Sequence, residues 1–274
     1  MIRTTWRLIA PLFITLLCLP LAVSVHAEKP GAPVVNIVTT DFPPYSYRHH
    51  ATINGMATEV VMATLARAGI SYQPPKMQPW ARTYKEALKG KNTLIYSIAR
   101  SAERESQFHW IGKIAPYTIH LYKLADRSDV RVHNLEDAKN YIVGGEFEDI
   151  KQAYLKRHGF EVGKNLQLAA DDTINLRKLF ARRIDLLPFN ALSLPFVLQQ
   201  QKLPLGRLEP VLFLEEISYD LYLAMSKDSD STLVMRLKTA LRELHQNGQF
   251  SAIQQRYLGP QIVNGFVDPQ ARGG

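Results

Sequence analysis

Apolar residues along most of this chain alternate between two rhythms, a short β-branched run and then a stretch spaced for one helix face. Residues 34–39 form the first run and read as a buried strand. Asp41-Phe42-Pro43-Pro44-Tyr45 forces an extended loop, because each proline fixes its own φ and restricts the residue before it. Asn54-Gly55 reads as a turn, after which Ala57, Val61, Leu65 and Ala68 share a helix face closed by Gly69. Pro79 opens a second helix whose stripe is Trp80, Tyr84, Ala87 and Leu88, stopped by Gly90, and 93–98 is the next strand. The rhythm restarts after Asn134. Strands are predicted at 141–143, 166–168 and 184–187, with helices at 149–158, after a cap at Asp172 or Thr173, and at 190–201. A strand at 218–224, a helix at 231–247 before Gly248 and a short helix ending at 257–259 complete the pattern. Two such series predict an α/β protein with largely parallel sheets.

The first 27 residues break this rhythm. Arg3 and Arg7 precede an apolar stretch over 8–25, and Val25-His26-Ala27 has the small-x-small form that signal peptidase reads. The segment is predicted to be a secretory signal cleaved after Ala27, which places the working chain outside the cytoplasm. Pro11 and Pro20 interrupt the stretch, which argues against a permanent membrane anchor. The single cysteine, Cys18, follows Leu16-Leu17 rather than the small residue a lipid-attachment signal needs. The mature chain therefore has no disulfide, thiolate nucleophile or cysteine-held zinc, and must rest on an ordinary core. Its charge falls from +8 to +6 on loss of Arg3 and Arg7, and the basic residues are interleaved with acids. That pattern is a solvated surface rather than a nucleic-acid-binding face. No later apolar segment approaches the ~20 residues of a membrane-spanning helix.

Catalytic signatures are missing. The chain has no Gly-x-Ser-x-Gly elbow, no phosphate-binding glycine loop and no dinucleotide fingerprint, and its histidines never reach zinc-binding spacing. No cofactor or metal is implied.

Several short motifs instead occur in a telling order. They are Asp41-Phe42-Pro43-Pro44-Tyr45-Ser46-Tyr47, Asn54-Gly55, Trp80 ahead of its helix, and Ser97-Ile98-Ala99-Arg100-Ser101-Ala102-Glu103-Arg104. Leu135-Glu136-Asp137-Ala138, Arg183-Ile184-Asp185, Asn247-Gly248 and Tyr257-Leu258-Gly259 follow. Over residues 34–259 this order resembles the family 3 extracellular solute-binding proteins, the amino-acid-type periplasmic binding proteins of ABC transporters. The resemblance implies a two-lobed periplasmic binding protein fold (type II) with the ligand clamped between lobes. Lobe 1 is expected from 28–121 with 220–274 and lobe 2 from 122–219, with crossings near 117–124 and 218–222.

The same resemblance implies roles for individual residues. Arg104 matches the arginine that grips the ligand carboxylate, which suits a planar guanidinium fork. Arg100 is either a second positive group or solvated. Phe42 and Trp80 match aromatics that sandwich the ligand, although both also fit a core. Tyr45 is a candidate hydroxyl at the cleft mouth, and Ser97 falls where backbone or hydroxyl groups meet the ligand's amino end. Two positions depart from the family. Asn190 stands where an acid receives the ligand ammonium, and an amide cannot neutralise that charge. Glu148-Asp149 stands where a glycine and a helix N-terminus approach the carboxylate, and a glutamate there is expected to repel an anion. The alternative anion site is Gly144-Gly145. The implied function is binding of a small polar solute, an amino acid or related carboxylate, by a monomer that serves an ABC permease. An orphan or sensory role, or a periplasmic enzyme resembling cyclohexadienyl dehydratase, is the alternative.

Overall fold

The computed structural model describes residues 34–266, with side chains through Leu258. The predicted signal segment, its cleavage after Ala27 and Cys18 lie outside the described residues. β1 (Asn36–Thr39) is the first buried run, and a hairpin of β2 (Tyr47–His49) and β3 (Thr52–Asn54) follows the proline loop. Next come α1 (Met56–Ala68), β4 (Lys76–Met77), α2 (Trp80–Lys89), β5 (Thr93–Ala99) and the long β6 (Phe108–Pro116). These strands make a five-stranded sheet in the order β4-β1-β5 and then, beyond β5, a strand from the C-terminal part of the chain, β12 (Asp220–Ser226), and β6. β5 is buried at all 7 positions because it is central and covered on both faces.

A second group of strands follows. β7 (Ile119–Leu124) lies between β10 (Leu187–Asn190) and β11 (Leu208–Phe213), antiparallel to both. β8 (Val143–Glu146) pairs parallel with β9 (Leu166–Ala169), and a Val143–Leu186 bridge ties this pair toward β10. Helices α3 (Leu135–Ala138), α4 (Ile150–Arg157), α5 (Asp172–Phe180) and α6 (Leu194–Gln200) connect these strands. The chain passes from β6 to β7 through Tyr117 and Thr118 and returns between β11 and β12. Tyr117 N–H donates to Tyr219 O at 3.2 Å, and Ile119 N–H donates to Ser218 Oγ at 2.9 Å, so the two passages are bonded to one another. After β12, α7 (Ser231–Gln246) packs Leu237, Leu241 and Leu244 into the core, and α8 (Gln249–Phe266) ends the described chain.

The α/β expectation holds, but the sheets are mixed rather than largely parallel. The returning β12 inserts antiparallel between β5 and β6, and β7 has antiparallel neighbours on both sides. The strand expected at 184–187 is displaced to Leu187–Asn190: Ile184 and Leu186 are buried by packing, and Leu186 makes only the single bridge. Asp171, not Asp172 or Thr173, caps α5 by accepting from Ile174 N–H.

Gly55 fixes how the proline loop meets the first helix. Met56 and Ala57 N–H groups at the start of α1 donate to Pro44 O and Tyr45 O, each at 2.9 Å, which satisfies amides a helix start leaves open. Gly55 adopts φ 122°, and a Cβ there would lie 2.4 Å from Tyr45 O. Gly55→Ala is expected to cost about 1–3 kcal/mol through a conformation only glycine adopts easily. A urea titration reads this as a lowered midpoint, and an unchanged midpoint would show that the loop yields without cost.

Candidate functional site

A cavity of about 410 Å³ opens where the two sets of strands meet. The first sheet contributes Phe42, Trp80, Ser97 and Arg104, and the second set of strands contributes Glu146, Asp149, Lys151, Asp172 and Phe189. Tyr117, on the passage between them, also lines it. Carboxyl ends of strands and the turns after them are where α/β sheets leave room for ligands.

Ser97 owes its position to a bulge. Its neighbours Tyr96 and Ile98 pair with Leu223 and Tyr222, which leaves Ser97 unpaired, with φ at 61°. Bulged residues are re-aimed relative to the alternation of the strand, and a left-handed serine stores strain. Ser97 is 4% exposed, lines the cavity, and its Oγ has no hydrogen-bond partner among the described residues.

Lys151 anchors the opposite wall. It is 3% exposed, and its ammonium lies 3.1 Å from Asp149 Oδ1 and 2.7 Å from Asp172 Oδ2. The starts of α4 and α5 bring these groups together, since Asp149 caps α4 through Lys151 N–H. Burial works against a charge on Lys151, but Asp149 and Asp172 outweigh it and hold its pKa well above the ordinary lysine value. Burial likewise opposes ionisation of Asp149, yet Lys151 and then Arg104 keep its carboxyl below the usual range. Asp172 goes the other way, pushed up by burial with Asp149 adding to the rise against the pull of Lys151. Glu146 is pushed well up by burial and by the charges of Asp172 and Asp149.

Arg104 and Trp80 meet this wall at one backbone atom. Trp80 Nε1 donates to Glu148 O at 3.0 Å and Arg104 Nη2 donates to it at 2.7 Å. Arg104 Nη1 donates to Ala99 O at 3.1 Å, and the guanidinium lies 5.3 Å from the Trp80 ring centroid and 4.9 Å from that of Tyr84. Trp80 therefore belongs to both core and cavity. Glu148 turns its carbonyl inward by adopting φ 60°, while its side chain stays exposed. The expected repulsion from the Glu148 carboxylate is thus replaced by a carbonyl that accepts two hydrogen bonds. Gly144 and Gly145 lie buried within β8, where a Cβ on Gly144 would come within 2.6 Å of Ile184 Cδ1, so strand packing accounts for them.

Five of the sequence-derived candidates, Phe42, Trp80, Ser97, Arg104 and Asp149, line the cavity together. Three do not. Tyr45 is fully buried beneath Phe42, its hydroxyl donating to Pro116 O at 2.6 Å and Asn190 Oδ1 at 3.2 Å. Asn190 is spent at the same place, accepting from Ser193 N–H at 2.9 Å and donating to Thr118 O at 3.3 Å. Arg100 faces outward, paired with Glu105 at 2.5 Å and lying over Trp110 and Tyr222. Glu146, Lys151, Asp172 and Tyr117 escaped the sequence reading. The detectable signals were the acid ending a Gly-Gly strand and the Asp171-Asp172-Thr173 run opening a helix.

Solved structures with the same fold include a histidine kinase sensor domain with similarity to periplasmic binding proteins. It has a TM-score of 0.74 and 21% identity, over 82% of this chain and 96% of that one. An ancestral arginine-binding protein bound to arginine has a TM-score of 0.71 and 16% identity, over 82% and 98%. The arginine-, lysine-, histidine-binding protein ArtJ from Geobacillus stearothermophilus has a TM-score of 0.69 and 17% identity, over 83% and 96%. No curated protein sequence matches the chain. Among the described residues no helix is long and apolar enough to cross a membrane. The sequence profile of the bacterial extracellular solute-binding proteins, family 3, matches residues 34–260, and the chain belongs to that family.

Proposed function

We propose that this protein, once its signal is removed after Ala27, is a monomeric periplasmic binding protein that closes two lobes around a small polar solute and presents it to an ABC permease without changing it. The lobes are residues 28–121 with 220–274, and residues 122–219. The observation that carries this reading is Ser97: a strained bulge holds an unpartnered hydroxyl in a cavity walled by both sets of strands. Strain and an unmet polar group cost stability, and both are accounted for if a solute completes the site. Solved relatives named for arginine, lysine or histidine binding support a solute of amino-acid size. Binding energy gained on both walls would bias the hinge toward closure.

Native mass spectrometry of the purified mature protein is expected to reveal a retained small molecule. At about 100 times Kd that molecule adds ~2.7 kcal/mol of stability, which raises the melting temperature by roughly 5–11 °C, and small-angle scattering should show compaction. A scattering curve unchanged at saturation would remove the clamp. Glu146 favours a second reading, because a carboxyl in a cavity whose pKa is pushed well up by burial and by neighbouring acids suits a general acid. Turnover of prephenate or arogenate by the wild-type protein would establish that reading in place of transport.

A further inference from the structure

Taking the cavity as the solute site proposed above, we propose that its occupant is an organic cation without an α-carboxylate, a diamine, polyamine or guanidino amine, seated with a charged nitrogen against Glu146 and Asp172.

The groups expected to grip an α-amino acid are already engaged. Two of the Arg104 donors go to Ala99 O and Glu148 O. At the start of α4, Glu148 N–H donates to Gln152 Oε1 at 2.8 Å and Lys151 N–H to Asp149 Oδ1 at 2.9 Å, so two of the amides that would hold an anion are occupied. Asn190, the position expected to receive an α-ammonium, is bonded to Tyr45, Ser193 and Thr118 outside the cavity wall.

What remains open is acceptors. Asp172 Oδ1 is buried without a partner, and the Glu146 carboxyl makes no hydrogen bond or ion pair among the described residues. Ser97 Oγ, independent of these acids and on the other wall, is also unpartnered. Five carboxyl groups line the cavity against three cationic groups; Lys151 is engaged by Asp149 and Asp172 and Arg104 by carbonyls and rings, while Arg48 is exposed. A ligand rich in donors and positive charge completes this arrangement, whereas a carboxylate meets acids. Phe42, Trp80 and Phe189 supply apolar surface for methylenes and π faces for a cation. Among the described residues no group of acids and histidines is placed to hold a metal ion.

A proton is linked to this binding. Glu146 faces Asp172, Asp149, Asp171 and Lys151, and burial with the neighbouring acids keeps its carboxyl protonated above the usual range. An arriving cation favours the carboxylate, so the proton leaves and affinity rises with pH until Glu146 ionises in the free protein.

Isothermal titration of the mature protein with matched probes tests the proposal: cadaverine against lysine, agmatine against arginine, and glutamate as the anionic control. Each amine is expected to bind at least tenfold more tightly than its amino acid. Glu146→Gln should weaken amine binding tenfold or more and flatten its pH dependence; that side chain carries no structural bond, so the variant should fold. Equal or tighter binding of the amino acids, tight glutamate binding, or no response to either amine overturns the cation assignment. Compaction with glutamate would overturn it while leaving the clamp intact, which separates the two failures.

Discussion

Lys151→Met is expected to destabilise the protein by about 3–5 kcal/mol, the usual cost of stranding buried charges by removing their partner. Lys151 is the cation between Asp149 and Asp172, and methionine fills its volume without its charge. The effect should depend on pH with a definite sign. In the wild type, Asp149 is held low by Lys151, so its contribution is present above about pH 4, the unfolded carboxyl value, and fades as pH falls through the lower folded value. Glu146 and Asp172 are raised, so each costs stability as pH rises from about 4 through its folded value. Without the ammonium Asp149 joins them, and the variant should gain stability on acidification from neutral pH toward pH 4–5. Urea midpoints at pH 5 and pH 8 measure this, with the larger deficit expected at pH 8. Lys151→Met combined with Asp172→Asn should recover part of the loss, since it removes one stranded charge. Equal deficits at both pH values would mean that the lysine contributes only packing.

Lys151 also marks where the sequence stopped being legible. A lysine two residues into an amphipathic helix reads as solvent-facing, and nothing local shows that the starts of α4 and α5 converge. That convergence depends on β8 and β9 being parallel neighbours, which places the turns after both strands at one end. The helices were readable because α1, α2 and α7 each carry a one-sided apolar stripe. β11 was not, because its residues are only half-buried or exposed and show no clean alternation. Candidates on the first sheet could be found since Phe42, Trp80, Ser97 and Arg104 lie in motifs whose order is itself a signal. Tyr45 and Asn190 sat in equally suggestive places, but their polar atoms meet each other under the cavity floor. Sequence order indicates that a side chain is near a site; which way it points depends on the partner that reaches it first.

Trp80→Phe combined with Arg104→Met should loosen the closed arrangement by removing both donors to Glu148 O. The ties that cross beside the cavity include those two hydrogen bonds and the Arg157–Glu103 ion pair at 3.1 Å, while Tyr45–Asn190 joins the same two parts of the chain beneath its floor. The ion pair is about half exposed on both sides and contributes little. The carbonyl bonds are part-buried, their donors Trp80 and Arg104 being buried, and one of them has a charged donor, so together they are expected to contribute about 2.5–4 kcal/mol. At 1.4 kcal/mol per factor of ten, their loss shifts the open–closed balance by roughly a hundredfold or more and weakens solute binding to match. Phenylalanine keeps an aromatic face toward the cavity and methionine keeps the stem over it, which limits the change to the lost donors and charge. Scattering at saturating solute should then show a less compact molecule than the wild type. Trp80→Phe alone should cost about fivefold in affinity, the worth of one neutral hydrogen bond. Because both donors share one acceptor, the single effects should not add, and a double-mutant cycle should return a coupling above 0.5 kcal/mol. Full compaction and wild-type affinity in the double variant would show that Glu148 O is not what holds the lobes together.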